Sequence, residues 1–228
     1  MKSIFIEQLR GILPLEQVLV GEPMSKHTTF RIGGNADVFV STTMEQLPDI
    51  IKIAKNNHVP ITIIGNGSNL LVGDKGIRGL VVSFGKEAEV LSVEGTKMTI
   101  GAGCLLSKAA AEAARRGLSG LEFASGIPGS LGGAIVMNAG AYGGEMKDII
   151  KTVTVLTPDG EELVLGNEEL ELGYRTSIIA KKGYIVLEAV VSLEKGNREA
   201  IKARMDELKV QRTTKQPLEY PSAGSTFK

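Results

Sequence analysis

The sequence predicts an α+β fold, and three observations carry that prediction. From Asp37 onward, short apolar runs and an amphipathic helical stretch follow one another in strand, helix, strand order. Farther along, apolar runs meet at turn residues such as Pro158-Asp159-Gly160, the pattern of antiparallel pairs. Between these parts lie nine glycines from 117 to 144, interleaved with Leu, Ile, Val and Met instead of Ser or Glu. That stretch reads as a buried loop without regular elements, not as a linker.

Taken in order, the first residues, MKSIFIEQLRGILPLEQVL, read as one or two short helices interrupted at Gly11 and Pro14. A strand at 37–41, a helix across 44–57 and a strand at 60–64 form a βαβ-like unit that ends in a glycine-rich turn. A strand at 79–84 follows, then antiparallel strands at 89–94 and 97–101 and a helix over 105–116. Gly117 stops that helix, because the left-handed backbone just past a helix end costs glycine little. Strands on either side of Pro158-Asp159-Gly160, and another at 184–193, make the middle third antiparallel. The last helix spans 198–212. There Ile201, Met205 and Leu208 fall at i, i+4 and i+7 among charged residues, one buried stripe on an exposed helix, and Gln216-Pro217 bars its continuation.

With 228 residues, 43% hydrophobic and 23% charged, the chain can bury a core. Its 26 Lys and Arg balance 26 Asp and Glu, which argues against nucleic acid as a partner, since general phosphate-backbone binders carry a clustered positive surplus. Cys104 is the only cysteine, so an intrachain disulfide and a cysteine-built zinc site are excluded and a reducing, cytoplasmic compartment is expected. His27 and His58 have neither the spacing nor the flanking carboxylates of a metal pair. No run reaches the ~18 apolar residues of a membrane span, and Glu7, Arg10 and Pro14 break the apolar core a signal peptide needs, so no membrane partner is expected. The 28 glycines exceed the roughly 7% of an average chain and mark backbone that must bend or approach something closely.

Four segments carry chemistry. Gly65, Asn66, Gly67, Ser68 and Asn69 follow the apolar strand ITII. Two glycines let successive amides curl into an anion-binding nest, and Ser and Asn add donors, which suits a diphosphate. It lacks the third glycine and the following helix of a dinucleotide-binding fingerprint, and alone it reads first as an ordinary turn. The second segment runs from Gly126 through Ile127, Pro128, Gly129, Ser130, Leu131, Gly132 and Gly133, and on through Asn138, Ala139, Gly140 and Ala141. Its glycines remove side chains where a flat ring or phosphate would touch backbone, and a purely structural loop gains nothing from so many. The third, Gly173-Tyr174-Arg175-Thr176-Ser177, offers a guanidinium that can clamp a carboxylate, although alone Arg175 reads first as a surface ion-pairing residue. The fourth, Ala223-Gly224-Ser225, predicts nothing by itself: no neighbouring His would activate Ser225 as a nucleophile.

Read together, TTFRIGGNADVFV, GNGSNLLVGDKGIRGLVV, GLEFASGIPGSLGGAIVMNAGAYGGE, GYRTSI, RTTKQP and AGSTFK resemble the UDP-N-acetylenolpyruvoylglucosamine reductases over residues 22–228. These are flavoenzymes of the cytoplasmic stage of peptidoglycan synthesis, and the short connection after Gly-Tyr-Arg is similar to that of their shorter subtype. The resemblance implies an FAD-binding fold of the vanillyl-alcohol-oxidase type in two subdomains, 1–78 and 79–195, with the beginning of a substrate-binding domain at 196–228. It assigns the FAD diphosphate to Gly65, Asn66, Gly67, Ser68 and Asn69. It sets Ile127, Pro128, Gly129, Ser130, Gly133, Asn138, Ala139, Gly140 and Ala141 along the pyrophosphate and flavin ring, with Arg212 nearby. Tyr174, Lys215 and Lys228 would meet the UDP-sugar substrate, and Arg175 and Ser225 would be catalytic.

The implied reaction uses NADPH as co-substrate and FAD as hydride carrier. Neither glycine turn contains the His or Cys that tethers flavin in other members of the superfamily, so FAD is expected to be noncovalent. The family chain continues past the AGS segment to a third catalytic residue, a glutamate, so the 228 residues are expected to bind FAD and to turn over poorly or not at all. Two alternatives are a catalytically silent flavin- or nucleotide-binding module and another FAD oxidoreductase of the same superfamily. The Gly-Tyr-Arg and AGS segments count against the second.

Overall fold

The computed structural model describes residues 3–85 and 88–224. The chain divides into two compact units, one of Met1–Ala88 with Pro221–Lys228 and one of Glu89–Tyr220.

In the first unit, α1 (Ser3–Ile12) runs straight through Gly11 and buries Phe5 and Leu9, one turn apart. A strand that the sequence did not announce follows, β1 (Val18–Pro23), pairing antiparallel with β2 (Asn35–Thr42). Gly21 and Pro23 read as breakers, but β1 is an edge strand, where an absent N–H costs no ladder bond. The next helix, α2 (Leu47–Asn56), starts later than expected because Thr43 and Gln46 cap its entry reciprocally. The Thr43 amide donates to Gln46 Oε1 at 3.1 Å and the Gln46 amide to Thr43 Oγ1 at 3.4 Å. Its Leu47, Ile50, Ile51 and Ala54 are buried at helical spacing. Then β3 (Ile61–Ile64) and β4 (Ile77–Phe84) complete a sheet of order β1-β2-β4-β3, with β4 parallel to both neighbours. Met24, Ala36, Phe39, Ile64, Val72 and Val81 form a core cluster. Because all of β4 pairs in this sheet, the division between units falls after Ala88, beyond the expected 78/79 boundary.

The second unit holds β5 (Leu91–Glu94), β6 (Lys97–Gly101), α3 (Leu106–Arg116) and β7 (Leu118–Ser119). After them come α4 (Leu131–Val136), β8 (Gly140–Ala141), β9 (Gly144–Glu145), β10 (Ile150–Leu156) and β11 (Glu162–Gly166). The unit ends with α5 (Ile178–Lys182), β12 (Ile185–Ser192), β13 (Glu194–Lys195) and α6 (Arg198–Lys215). Five strands make an antiparallel sheet of order β11-β10-β12-β6-β5, as the hairpin signals predict. Gly117 ends α3 with φ 70°, as expected.

The glycine-rich stretch departs from expectation, since it contains a helix, α4, and a small hairpin, β8–β9. The short α5 was also unannounced; Ser177 caps it by accepting from the Ala180 amide at 3.3 Å, and Gly183 closes it with φ 65°. The last helix, α6, is capped by Asn197, continues one turn past 212, and packs on α3, β7 and the 122–124 turn. Residues 196–220, expected to open a third domain, thus belong to the second unit.

On α3, Glu112 accepts from Arg115 at 2.6 and 2.7 Å and from Arg116 at 2.9 Å. The Arg115 hydrogen bonds, then those of Arg116, lower its carboxyl to about 2. A folded value below the ordinary carboxylate range contributes stability that is present above that range and lost as pH falls toward about 2. Glu112→Gln should therefore melt lower at neutral pH, by about 2 °C or less for such a solvent-facing cluster. Melting curves between neutral pH and about 2 check this: the gap should close as acid protonates Glu112.

Candidate functional site

In the first unit, a cavity of about 260 Å³ opens between the 26–29 segment and the turn after β3. Lys26, His27, Thr28, Thr29, Gly65 and Asn66 line it. The turn is fixed by backbone contact. Gly67 has φ 62°, and a Cβ there would run into the His27 carbonyl, while the Thr29 amide donates to the Gly67 carbonyl at 3.2 Å. The His27 ring stacks on Phe39 with centroids 3.9 Å apart, and its Nε2 lies 3.1 Å from Glu22 Oε1. Burial raises the Glu22 carboxyl, but its hydrogen bonds with His27 and Lys26 outweigh this and leave it below its ordinary value. Gly65, Asn66 and Asn69 are exposed, the first two on the cavity, and Ser68 is half-buried.

The segment before Ser225 also docks in this unit. The Ser222 amide donates to the Thr29 carbonyl at 3.2 Å and Thr29 Oγ1 donates to the Ser222 carbonyl at 2.5 Å. A Cβ on Gly224, at φ 96°, would stand 2.8 Å from Asn69 Oδ1. Ser225 and Lys228 themselves lie outside the described residues.

In the second unit α4 is seated by its own first amides. Leu131 donates to the Cys104 carbonyl at 2.8 Å and Gly132 to the Ala102 carbonyl at 3.0 Å. That seat leaves little room at Gly132, where a Cβ would lie 3.1 Å from the Ala102 Cβ and 3.3 Å from its hydrogen-bonded carbonyl oxygen. Gly133 faces open space instead: among the described residues, apart from the helix's own backbone, only Ser130 Oγ comes near an added Cβ, at 3.8 Å. Ser130 occupies the N-cap position yet makes no side-chain cap bond, and its hydroxyl has no hydrogen bond among the described residues. Arg212 of α6 lies over Gly126 at the start of this loop, its Cδ 3.3 Å and Nη1 3.5 Å from where a Cβ would be, and it forms no ion pair among the described residues.

Arg175 sits in a tight turn in which Gly173 and Thr176 exchange both backbone bonds, at 3.1 and 3.3 Å. Its φ is 55°, a left-handed conformation that costs a side-chain-bearing residue about 1–2 kcal/mol. The guanidinium is exposed, and its neighbours among the described residues are weak ones: Met137 Sδ at 3.8 Å and the Tyr174 ring at 5.9 Å. Arg78, Arg115, Arg116 and Arg204 are all matched by carboxylates; Arg175 has none among the described residues.

Ile127, Pro128, Gly129, Ser130, Gly133, Arg212 and, at the other end of α4, Ala139, Gly140 and Ala141 are thus gathered in one unit with Tyr174 and Arg175. Lys215 is exposed in the last turn of α6. Asn138 is different: buried, with φ 44°, it spends its amide inside the protein. Nδ2 donates to Glu145 Oε2 at 2.6 Å and to the Gly173 carbonyl at 3.4 Å, and Oδ1 accepts from the Lys147 amide at 2.9 Å. Cys104 is fully buried, and burial pushes its thiol up, so it is no activated nucleophile. No metal-holding cluster exists among the described residues. Lys26, Thr28 and Thr29 line the cavity without a role expected from sequence, although Thr28 and Thr29 open the TTFRIGG segment that ends in the Gly33-Gly34 pair. Ser177 belongs to the 173–177 segment but has no expected role of its own; the pattern of a Ser before Ile-Ile-Ala-Lys-Lys-Gly marks it as a short helix cap.

Gly132 and Gly133 should respond in opposite senses. Gly132→Ala, wedged against a hydrogen-bonded backbone, should destabilise the protein by about 1–3 kcal/mol. Gly133→Leu should leave the melting temperature unchanged or higher, since leucine is the better helix former. Thermal melts check both.

The FAD binding domain model matches residues 36–166. The UDP-N-acetylenolpyruvoylglucosamine reductase of Agathobacter rectalis is 53% identical, aligned with the whole of this chain and 76% of its own length. The crystal structure of UDP-N-acetylenolpyruvylglucosamine reductase from Thermus caldophilus is 36% identical and superposes with a TM-score of 0.78, covering 92% of this chain and 73% of that one. Alkyldihydroxyacetonephosphate synthase, 19% identical with a TM-score of 0.64 over 86% of this chain and 41% of its own, shares the fold alone. The fold is therefore the FAD-binding fold of the vanillyl-alcohol-oxidase type, as the motifs implied. With half its residues shared along its whole length, the chain belongs to the UDP-N-acetylenolpyruvoylglucosamine reductases, a family of flavoprotein oxidoreductases.

Proposed function

We propose that this chain serves the reduction of UDP-N-acetylglucosamine enolpyruvate to UDP-N-acetylmuramate, with NADPH as hydride source and noncovalent FAD as carrier, in the cytoplasmic synthesis of peptidoglycan precursor. The observation that carries this reading is the open face at Gly133 beside the Ser130 hydroxyl, in the same unit as Arg175, neither side chain having a hydroxyl or carboxylate partner among the described residues. Those groups fit a flavin: a flat ring needs backbone bare of side chains and a few polar atoms to fix its edge. Gly65, Asn66, Gly67, Ser68 and Asn69 would hold the diphosphate. Ile127, Pro128, Gly129, Ser130, Gly133, Ala139, Gly140, Ala141 and Arg212 would hold the remainder, with Asn138 contributing through its main chain. Bound there, FAD supplies the hydride chemistry.

The protein's part is electrostatic and protonic. Hydride addition at the terminal carbon of the enol ether leaves negative charge on the carbon that bears the carboxylate. Arg175, fixed in its turn and unmatched by any acid among the described residues, binds that carboxylate and stabilises the charge as it spreads. Ser225 then gives its proton to the same carbon; a carbanionic centre is basic enough to take it from a neutral hydroxyl. Tyr174, Lys215 and Lys228 would hold the UDP-sugar.

Purified protein should bind FAD and turn yellow, whereas absence of flavin absorbance after incubation with FAD would overturn the reading. Anaerobic NADPH should bleach the flavin. The relatives extend beyond the aligned part by about a quarter of their own length, and the second half-reaction is reoxidation by the enolpyruvyl UDP-sugar. In a version carrying the relatives' remaining quarter, Ser225→Ala should slow reoxidation by about 10²–10⁴-fold and spare bleaching by NADPH. Equal loss in both halves would contradict the proton-donor role.

A further inference from the structure

We propose that Ser177 is a positioning residue that aims Arg175, clipping its turn to the C-terminal end of α4. The proposal rests on the reading of Arg175 as the group that meets the substrate carboxylate. Ser177 is fully buried and uses its hydroxyl twice: Oγ donates to the Val136 carbonyl at 2.6 Å and accepts from the Ala180 amide at 3.3 Å. The first bond joins the turn to the last residue of α4, and the second starts α5, so a single oxygen fixes the exit of the Arg175 turn on both sides. On the entry side, Asn138 reaches across to the Gly173 carbonyl, and between them Arg175 Nη1 touches Met137 Sδ.

Three successive residues, 136, 137 and 138, therefore each hold one point of the 173–177 turn. The turn needs such holding. Arg175 is left-handed, a conformation that persists only where its surroundings impose it, and the isolated Gly173–Thr176 bridge belongs to no sheet. The same α4 carries Ser130 and Gly133 at its other end, so the clip ties the direction of the cation to the helix that would seat the flavin ring. Val136 lends only its carbonyl, so the specificity of the contact lies in Ser177.

The test separates the two half-reactions in protein carrying the relatives' remaining quarter, with flavin absorbance as the signal. Ser177→Ala should slow reoxidation by the enolpyruvyl UDP-sugar about 10- to 100-fold, as a misaimed group does, and leave FAD affinity and the rate of bleaching by NADPH unchanged. On an Arg175→Lys background the same substitution should cost little more, because it acts through Arg175. Ser177→Cys, close in volume but a weak donor, should fall between wild type and Ala, and it stands in if the alanine variant fails to fold. In the FAD-bound 228-residue protein, hydrogen exchange of the Gly173 and Thr176 amides should accelerate in Ser177→Ala while α3 stays protected. Equal loss in both half-reactions from Ser177→Cys, undiminished loss on the Arg175→Lys background, or unchanged exchange at the turn would each overturn the proposal. Arg175→Lys with wild-type reoxidation would instead overturn the reading of Arg175 on which it rests.

Discussion

The site in the second unit depends on where a helix of six residues is seated. Such a helix does not form by itself in water, because nucleation consumes more entropy than so few bonds return. What holds α4 is a crossing of two backbone segments: Leu131 to Cys104, Gly132 to Ala102, and in return the Leu106 amide to the Gly129 carbonyl at 3.0 Å. The three bonds lace 102–106 to 129–132, and each end of the helix then does separate work. Its beginning offers an uncovered glycine and a hydroxyl that makes no cap bond; its end supplies the carbonyl and the amide that restrain the Arg175 turn.

This changes what the glycines mean. Their surplus pointed to close approach by a ligand, and at Gly133 the open space agrees. Gly67 is glycine for a different reason, since another stretch of this same chain already occupies the space a side chain would need, and at Gly132 another stretch crowds it. The same holds at Gly144, where the Phe123 ring lies 2.8 Å from a would-be Cβ. A glycine-rich segment can thus be dense with structure, and α4 and β8–β9 lie inside the stretch that the sequence presents as a loop.

Most of the fold was legible because its strands alternate or run apolar between turn residues, and because α2, α3 and α6 carry buried stripes at helical spacing. The misses have local causes. Edge position excuses the proline in β1; two glycines disguise α4; five residues are too few to give α5 a period. For the site, Arg175 and Arg212 emerged only from their motifs, since an isolated arginine looks like any surface cation. Asn138 was legible as a residue of interest but not in its role. Its partners Glu145, Lys147 and Gly173 reach it only through the register of a two-residue hairpin and a distant turn, which no local pattern encodes.

Thr29 and Ser222 are 193 positions apart, yet they share two bonds in the first unit. The first unit is thus discontinuous, and the whole of Glu89–Tyr220 is the excursion the chain makes before returning to it. Closing so long an excursion is a late event in folding, because the entropy of closure is met only after the intervening segment has compacted. The stretch leading to Ser225 is then among the last parts to be fastened and the first to open, and its fastening depends on the folding of the 132 residues of the intervening excursion.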